Sequence, residues 1–478
     1  MPRRHMRAVC APEAPLGAAL CALRTELGVP ESFPPDALEE AGRPPRLPSH
    51  DATDIPFFTV DPPASTDLDQ AMHLTRRERG GYRVRYAIAD VAAFVTPGGP
   101  LDAEAHRRVT TLYFPDEKVP LHPPQLSEGG TASLLPDQTC PAVLWTLDLD
   151  AEGRAESTDV RRALVRSRAK LDYAHVQRRI DAGTAEEPLA LLKDIGVLRE
   201  RLEVERGGIS LNVPEQEIVE RDGTCSLAYR APLPAEGWNA QISLLTGMAA
   251  ADLMLAHGTG VLRTLPAAPD GAVGRLRRTA KALRIDWPHH VSYAQLIRSL
   301  DPHRPHHAAF LQECTTLLRG AGYTAFRDGL LPDVTSHAAV AAPYAHCTAP
   351  LRRLGDRYAA EICLAAAEGR ETPEWVLTAL DALPKEMAEG SRRAATVERE
   401  CVDIIEAALL KDRVGDLFEA FVVDVQDNDP TVGTVQLESP AVLARITGGR
   451  SRLPLGEHLR VRLTAADPGT TKARFAPA

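Results

Sequence analysis

The passage Thr59-Val-Asp61-Pro-Pro-Ala-Ser-Thr-Asp67-Leu-Asp69-Gln70 holds the densest chemistry in this 478-residue chain. Asp61 follows the apolar run 57–60. Asp67 and Asp69 are two apart, so in extended chain both carboxylates leave the same face. Pro62-Pro63 stiffens the loop between them, which could fold back and bring Asp61 to the other two. Three crowded carboxylates repel one another unless a cation sits among them. Hard oxygen ligands with no His or Cys nearby favour Mg²⁺ or Mn²⁺ over zinc. Such a site suits phosphodiester hydrolysis, because a bound ion acidifies and aligns a water. An acidic surface turn is the alternative, and spacing alone does not separate the two.

Those carboxylates need a scaffold. Residues 57–60 and 71–74 read as strands, and 82–88 place Tyr82, Val84, Tyr86 and Ile88 on one face after the Gly80-Gly81 turn. Residues 143–149 form another strand. The stretch 160–205 reads as helical, as do 239–257, 272–283, 308–320, 357–368 and 385–411. The body over 51–412 is therefore α+β, with strands early and helices late. Over 413–478, five short strands with turn signals between them suit a small barrel of the OB type, and runs at 419–425, 434–437, 442–446 and 459–463 supply four. Residues 1–50 hold two short helices, 16–27 and 35–41, bounded by Gly and Pro. They form a small N-terminal module, either helix-turn-helix-like or a docking arm.

The length suits two or three domains. With 44% hydrophobic and 25% charged residues the chain is an ordinary globular protein, neither disordered nor fibrous. No apolar run approaches the roughly 20 residues of a bilayer span, and the basic start at 1–7 lacks the rest of a signal peptide. A cytoplasmic home and no membrane partner are expected. Eight scattered cysteines without a CxxC pair exclude a zinc ribbon and argue against a disulfide framework. The net charge of −10 speaks against nucleic acid at first sight, yet local clusters set the local potential. Residues 440–478 carry seven Arg or Lys against Glu457 and Asp467, which suits a groove tracking phosphates or a solvated face. Arg outnumbers Lys 48 to 7. The guanidinium fork suits phosphate, although codon bias gives the same excess.

The acidic passage resembles the signature of the ribonuclease II / ribonuclease R (RNB) family of hydrolytic exoribonucleases. Further blocks follow in the family's order: Tyr86-Ala-Ile-Ala-Asp-Val91, Leu101-Asp-Ala-Glu-Ala-His-Arg-Arg108, Tyr113-Phe-Pro-Asp116 with Pro120, and Leu126-Ser-Glu-Gly129. Then come Ile209-Ser-Leu-Asn-Val-Pro-Glu215, Arg263 with Pro266 to Asp270, Tyr344-Ala-His-Cys-Thr-Ala-Pro-Leu-Arg-Arg353 with Asp356, and 392–400. The resemblance implies an RNB catalytic fold of mixed sheets surrounded by helices over 51–412, then an OB-type RNA-binding barrel. It implies a 3′-to-5′ exoribonuclease that degrades single-stranded RNA to nucleoside 5′-monophosphates, with Mg²⁺ (or Mn²⁺) as cofactor, acting as a monomer.

The family's four signature aspartates fall on Asp61, Asp67, Asp69 and Gln70. Gln70 offers a metal or water a carbonyl oxygen but no charge. Asp69 would be the carboxylate most directly tied to cleavage, and Arg352 the arginine on the phosphate near the scissile bond, with Arg353 beside it in substrate binding. Tyr113 would stack on a base near the closed end of the channel, and Glu398 would lie near the 3′ nucleotide. His337 and Tyr323 match positions for which packing and RNA contact are both open. Gln241-Ile242, Met248 and Leu354 depart from the family's paired acids, Asn and Tyr. About 50 residues precede the catalytic body, too few for the two cold-shock barrels of typical members, so a more open RNA entrance is expected. Gln70 leaves a rival reading, a catalytically weakened RNB-fold RNA-binding or regulatory protein. A metal phosphodiesterase acting on DNA or a small nucleotide is the second rival.

Overall fold

The computed structural model describes residues 14–478 apart from 212, 214, 222, 223, 270, 303, 319, 427, 438 and 450. The basic start at 1–7, Asn212 and Pro214, Asp270, the turn residue Asp427 and Arg450 lie outside the described residues.

The body is built on a closed barrel of β1 (Phe57–Val60), β2 (Gln70–Arg76), β3 (Tyr82–Ala89), β6 (Thr139–Leu149) and β7 (Ala155–Leu171). Between β3 and β6 the chain makes an excursion through the helix Pro100–Arg108 and the short hairpin β4 (Leu112–Tyr113) and β5 (Lys118–Val119). The strand β6 is buried along most of its length, while β3 and β7 alternate buried apolar residues with arginines. Val84, Tyr86, Ile88, Trp145 and Leu147 fill one core, while Ala87, Ala89, Leu144, Ala163 and Val165 pack into a second. Closure comes from β7, which runs antiparallel to β6 and parallel to β1, with Val60 opposite Leu171.

The helix expected from residue 160 is corrected here: the chain stays extended to Leu171, and the helices are Tyr173–Asp181 and Glu187–Arg206. Between Ala163 and Ser167 every second residue is buried. The Arg residues interleaved with them, good helix formers in isolation, are carried by a strand that the barrel needs for its last seam. Tertiary pairing overrides local propensity.

The hairpin β8 (Glu215–Arg221) and β9 (Thr224–Arg230) follows, then the helix Pro234–His257. The pairs β10 (Gly260–Thr264) with β11 (Gly322–Phe326) and β12 (Ser336–His337) with β13 (Ala342–Pro343) come next. The helix Leu354–Ala367 is buried along nearly its whole length between β7 and the helix Pro234–His257. The long helix Leu383–Leu410 then leads to a second closed barrel. Its strands are β14 (Leu417–Val425), β15 (Gly433–Leu437), β16 (Leu443–Ile446), β17 (His458–Asp467) and β18 (Thr471–Pro477), in the order β14-β15-β16-β18-β17. Val422, Leu437, Ile446, Leu463 and Phe475 fill it. β18 is the strand the sequence reading counted without placing.

The two N-terminal helices pack into different cores. Ala14–Glu26 sets Leu20 and Leu23 against Leu112, Phe114 and Ile404. Pro35–Ala41 sets Ala37 and Ala41 on the first barrel's outer core, and the buried Glu40 accepts from Thr96 N at 2.7 Å and Leu101 N at 2.9 Å. Among the described residues no helix is long and apolar enough to cross a membrane.

Candidate active site

Asp61 leaves the end of β1, where its backbone N–H donates to Leu171 O at 3.1 Å and continues the seam with β7. The loop beyond it is held from several sides. Lys170 Nζ donates to Pro63 O at 2.8 Å and Ser65 O at 2.6 Å, and Ser133 Oγ donates to Thr66 O at 2.8 Å and accepts from Leu68 N at 2.9 Å. Leu68 is fully buried, and it anchors the loop between Asp67 and Asp69.

Asp69 is 3% exposed, and its Oδ1 accepts from Leu351 N at 2.8 Å. Arg352 Nε stands 3.2 Å from Oδ2, too misaligned for a hydrogen bond, so both atoms are buried without one. Burial, with the Asp67 charge adding to it and Arg352 opposing, pushes the Asp61 carboxyl up to about 6 and that of Asp69 to about 7. Burial works against the charge on Arg352, but Asp69 and the neighbouring Tyr113 hold its pKa above the ordinary value. Tyr113 sits opposite Lys118 on the hairpin. Lys118 Nζ lies 3.0 Å from Asp67 Oδ1 and 3.1 Å from Glu128 Oε1.

The backbone of Arg352 is pinned by Thr111 N at 3.1 Å and Thr110 Oγ1 at 2.9 Å, both donating to its carbonyl. Asp61, Asp67, Asp69, Arg352 and Tyr113 thus share one neighbourhood. The remaining candidates are placed differently. Arg353 makes a two-pronged pair with the fully buried Asp356, Nε to Oδ2 at 2.8 Å and Nη2 to Oδ1 at 2.7 Å. Asp356 also accepts from Ala349 N. As placed, Arg353 shapes the loop that presents Arg352.

Gln70 accepts from Tyr86 OH at 2.8 Å and donates to Thr348 O. Both ends of its amide are engaged by protein, with one lone pair of its carbonyl taken by Tyr86. Glu398 is half-buried on the helix Leu383–Leu410, near Cys401, Arg24 and Asp116. Tyr323 donates to or accepts from His346 Nδ1 at 2.7 Å beneath the Arg263 guanidinium, and His337 rests edge-on to Tyr344.

Sequence reasoning missed Lys118, Lys170 and Glu128. A signal existed, since the two lysines are two of only seven in the chain. Among the described residues no three His, Cys, Asp or Glu converge to enclose a metal ion. The three-aspartate cage is therefore not assembled, with Asp67 drawn to Lys118. A hard cation nonetheless fits here: Asp69 is buried, Asp61 is half-buried, both carboxyls are raised in pKa, and Oδ2 of Asp69 lacks a hydrogen bond.

Residues 49–368 match the family model of the RNB domain, and 416–478 that of the RNase II-type exonuclease C-terminal S1 domain. Ribonuclease R of Aquifex aeolicus (strain VF5) is 25% identical over 456 residues, covering 87% of this chain and 63% of its own length. The chain spans about half to two thirds of the length of such curated relatives. Mycoplasma genitalium RNase R, in a structure with ribose methylated single-stranded RNA, shares the fold with a TM-score of 0.81 at 19% identity, covering 97% of this chain and 78% of that one. Yeast Ssd1, described as a pseudonuclease, shares it at 0.71 and 14% identity, over 94% of this chain and 57% of its own. With the RNB model matched over more than half of its residues and the S1 model over its second barrel, the chain belongs to the RNB family.

Proposed function

We propose that the chain is a 3′-to-5′ exoribonuclease that hydrolyses single-stranded RNA to nucleoside 5′-monophosphates, as a cytoplasmic monomer dependent on Mg²⁺ or Mn²⁺. The observation that carries this reading is the buried Asp69, with an unbonded oxygen, set against Arg352, whose charge also acts on Asp61. Asp61 and Asp69 would hold the ion, with Asp67 paired to Lys118. When bound, such an ion supplies an acidified water and a counter-charge for a leaving oxygen.

The chain's own groups do the rest. The Arg352 side chain is 29% exposed, so its outer guanidinium edge remains reachable for the scissile phosphate while Asp69 fixes its orientation. The ring of Tyr113, half-buried beside Arg352, offers a π-face to any base. Contacts to 2′-hydroxyls would discriminate against DNA. The ligand of the Mycoplasma genitalium relative supports RNA as the polymer.

A second reading, an RNB-fold RNA binder with weakened or lost cleavage, is favoured by Gln70 and by the occupied carboxylate of Asp67. One assay separates the two. Single-stranded RNA with a free 3′ tail, the matching DNA, and RNA with EDTA are incubated with the protein and resolved by size. Mononucleotides from RNA alone, abolished by EDTA, are expected. Binding without shortening would establish the second reading. In the Asp69→Asn variant, RNA binding is expected to persist and cleavage to fall at least about a hundredfold. Near-parental turnover there would remove the role assigned to Asp69.

A further inference from the structure

We propose that the Lys118 ammonium is a resident cation of this site, occupying the half that a second divalent ion would need, so that the chain takes one divalent ion, at Asp61 and Asp69. The inference rests on the metal-dependent reading above and adds a number and a residue to it.

Lys118 is not a surface lysine folded back by chance. Its side chain is 12% exposed, that of its partner Asp67 is 11%, and the ammonium is seated between two carboxylates at 3.0 and 3.1 Å. It projects from a hairpin whose opposite position holds Tyr113, so the backbone that presents the aromatic ring also presents the charge. A buried ammonium needs compensating partners, and Asp67 and Glu128 provide them. The oxygens Asp67 Oδ1 and Glu128 Oε1 are then closed to a divalent ion unless Lys118 is displaced, and the ammonium repels a cation approaching their partners.

The local charges point the same way. Asp61, Asp67, Asp69 and Glu128 bring four negative charges, against the three positive charges of Lys118, Arg352 and Lys170. One divalent ion together with one phosphodiester brings this set to neutrality. Two divalent ions with the same phosphodiester would leave two positive charges in a buried site, where uncompensated charge is strongly unfavourable. Gln70 adds no charge, and its amide is committed to Tyr86 and Thr348.

Lys118 is thus a positioning residue, and the test reads metal stoichiometry without RNA. Metal-stripped full-length chain is titrated with Mn²⁺ by calorimetry, with free Mn²⁺ followed by its paramagnetic resonance. The parent is expected to bind one ion, and Gln70→Asp alone also one. Gln70→Asp with Lys118→Gln is expected to bind two. Lys118→Gln alone should tighten Mn²⁺ binding roughly tenfold or more, because a unit charge close to the ion is removed. Lys118→Arg keeps the charge and should behave as the parent, which covers the case that the glutamine variant does not fold. Two ions or none in the parent, two in Gln70→Asp alone, or unchanged affinity in Lys118→Gln would overturn the inference. One ion without RNA shortening would leave it standing and remove the exoribonuclease reading.

Discussion

Asp61 and Asp69 have a thermodynamic signature that can be measured without any substrate. Both carboxyls are held above their ordinary value of 3.8, chiefly by burial, Asp61 at about 6 and Asp69 at about 7. The folded chain therefore holds these protons more tightly than the unfolded one. Their contribution to stability is complete below pH 3.8 and is lost as the pH rises through about 6 and about 7. Asparagine mimics the protonated form, so metal-free Asp69→Asn is expected to gain stability relative to its parent between about pH 4 and 7. Urea midpoints at pH 5 and pH 8 check this, and a difference that is flat or opposite in sign would refute it. A divalent ion competes with the same protons, so apparent Mg²⁺ affinity should weaken below about pH 7. The adjacent arginines divide their work in a way that substitution should expose. Arg353→Ala strands the fully buried Asp356 and should lower stability by about 3–5 kcal/mol. Arg352→Ala, whose partner can take up a proton, should change melting little while lowering turnover about a hundredfold or more. Melting and cleavage measured on both variants test the division.

The element that matters most to the site is the hairpin of Leu112–Tyr113 and Lys118–Val119, because it brings Tyr113 and Lys118 to the carboxylates. Two supports hold it. Arg24 on the first helix pairs with Asp116 and, through Nε at 2.9 Å, with Glu117, and its guanidinium lies over the Phe114 ring. Behind the hairpin, Val109 takes a φ of 66°, an expensive conformation for a β-branched residue, and its carbonyl accepts from Leu354 N. Gly390 on the long helix permits that approach, since a Cβ there would stand 2.5 Å from Val109 Cγ1. Gly390→Ala is therefore expected to shift the segment leading into Tyr113, lowering the melting midpoint by several degrees and weakening RNA turnover. Arg24→Ala should leave the fold intact and raise KM for RNA several-fold through a looser Tyr113. An unchanged KM in that variant would show that the first helix plays no part in positioning the hairpin.

At the scale of the molecule, the net charge of −10 leaves room for local pairs of cations on the second barrel. Arg445 and Arg474 are side by side on β16 and β18, both exposed, and like charges in neighbouring strands repel unless an anion lies over them. Replacing both with Gln should weaken RNA binding and make its dependence on log salt shallower by about 1–2, without loss of stability. Binding titrations at several salt concentrations test this, and an unchanged slope would remove the barrel face from the RNA path. Lys472, counted in the same basic set, is engaged with Glu400 and Asp403 of the long helix and so ties the barrel to the body.

Strand and helix periodicity located β1, β3 and most helices within a few residues, because each has a face whose burial the local pattern declares. Residue types and order were likewise enough for the α+β class and the terminal barrel, whereas Arg352 entered as a site residue only through the family resemblance. The extended course of 155–171 was decided by closure of the barrel, a requirement set by partner strands that no local window contains. The pairing of Lys118 with Asp67, and the division between Arg352 and Arg353, were decided the same way. Charge pairs across 51 residues, or to one of two adjacent guanidiniums, depend on which side chains burial brings within reach, and only the folded chain determines that.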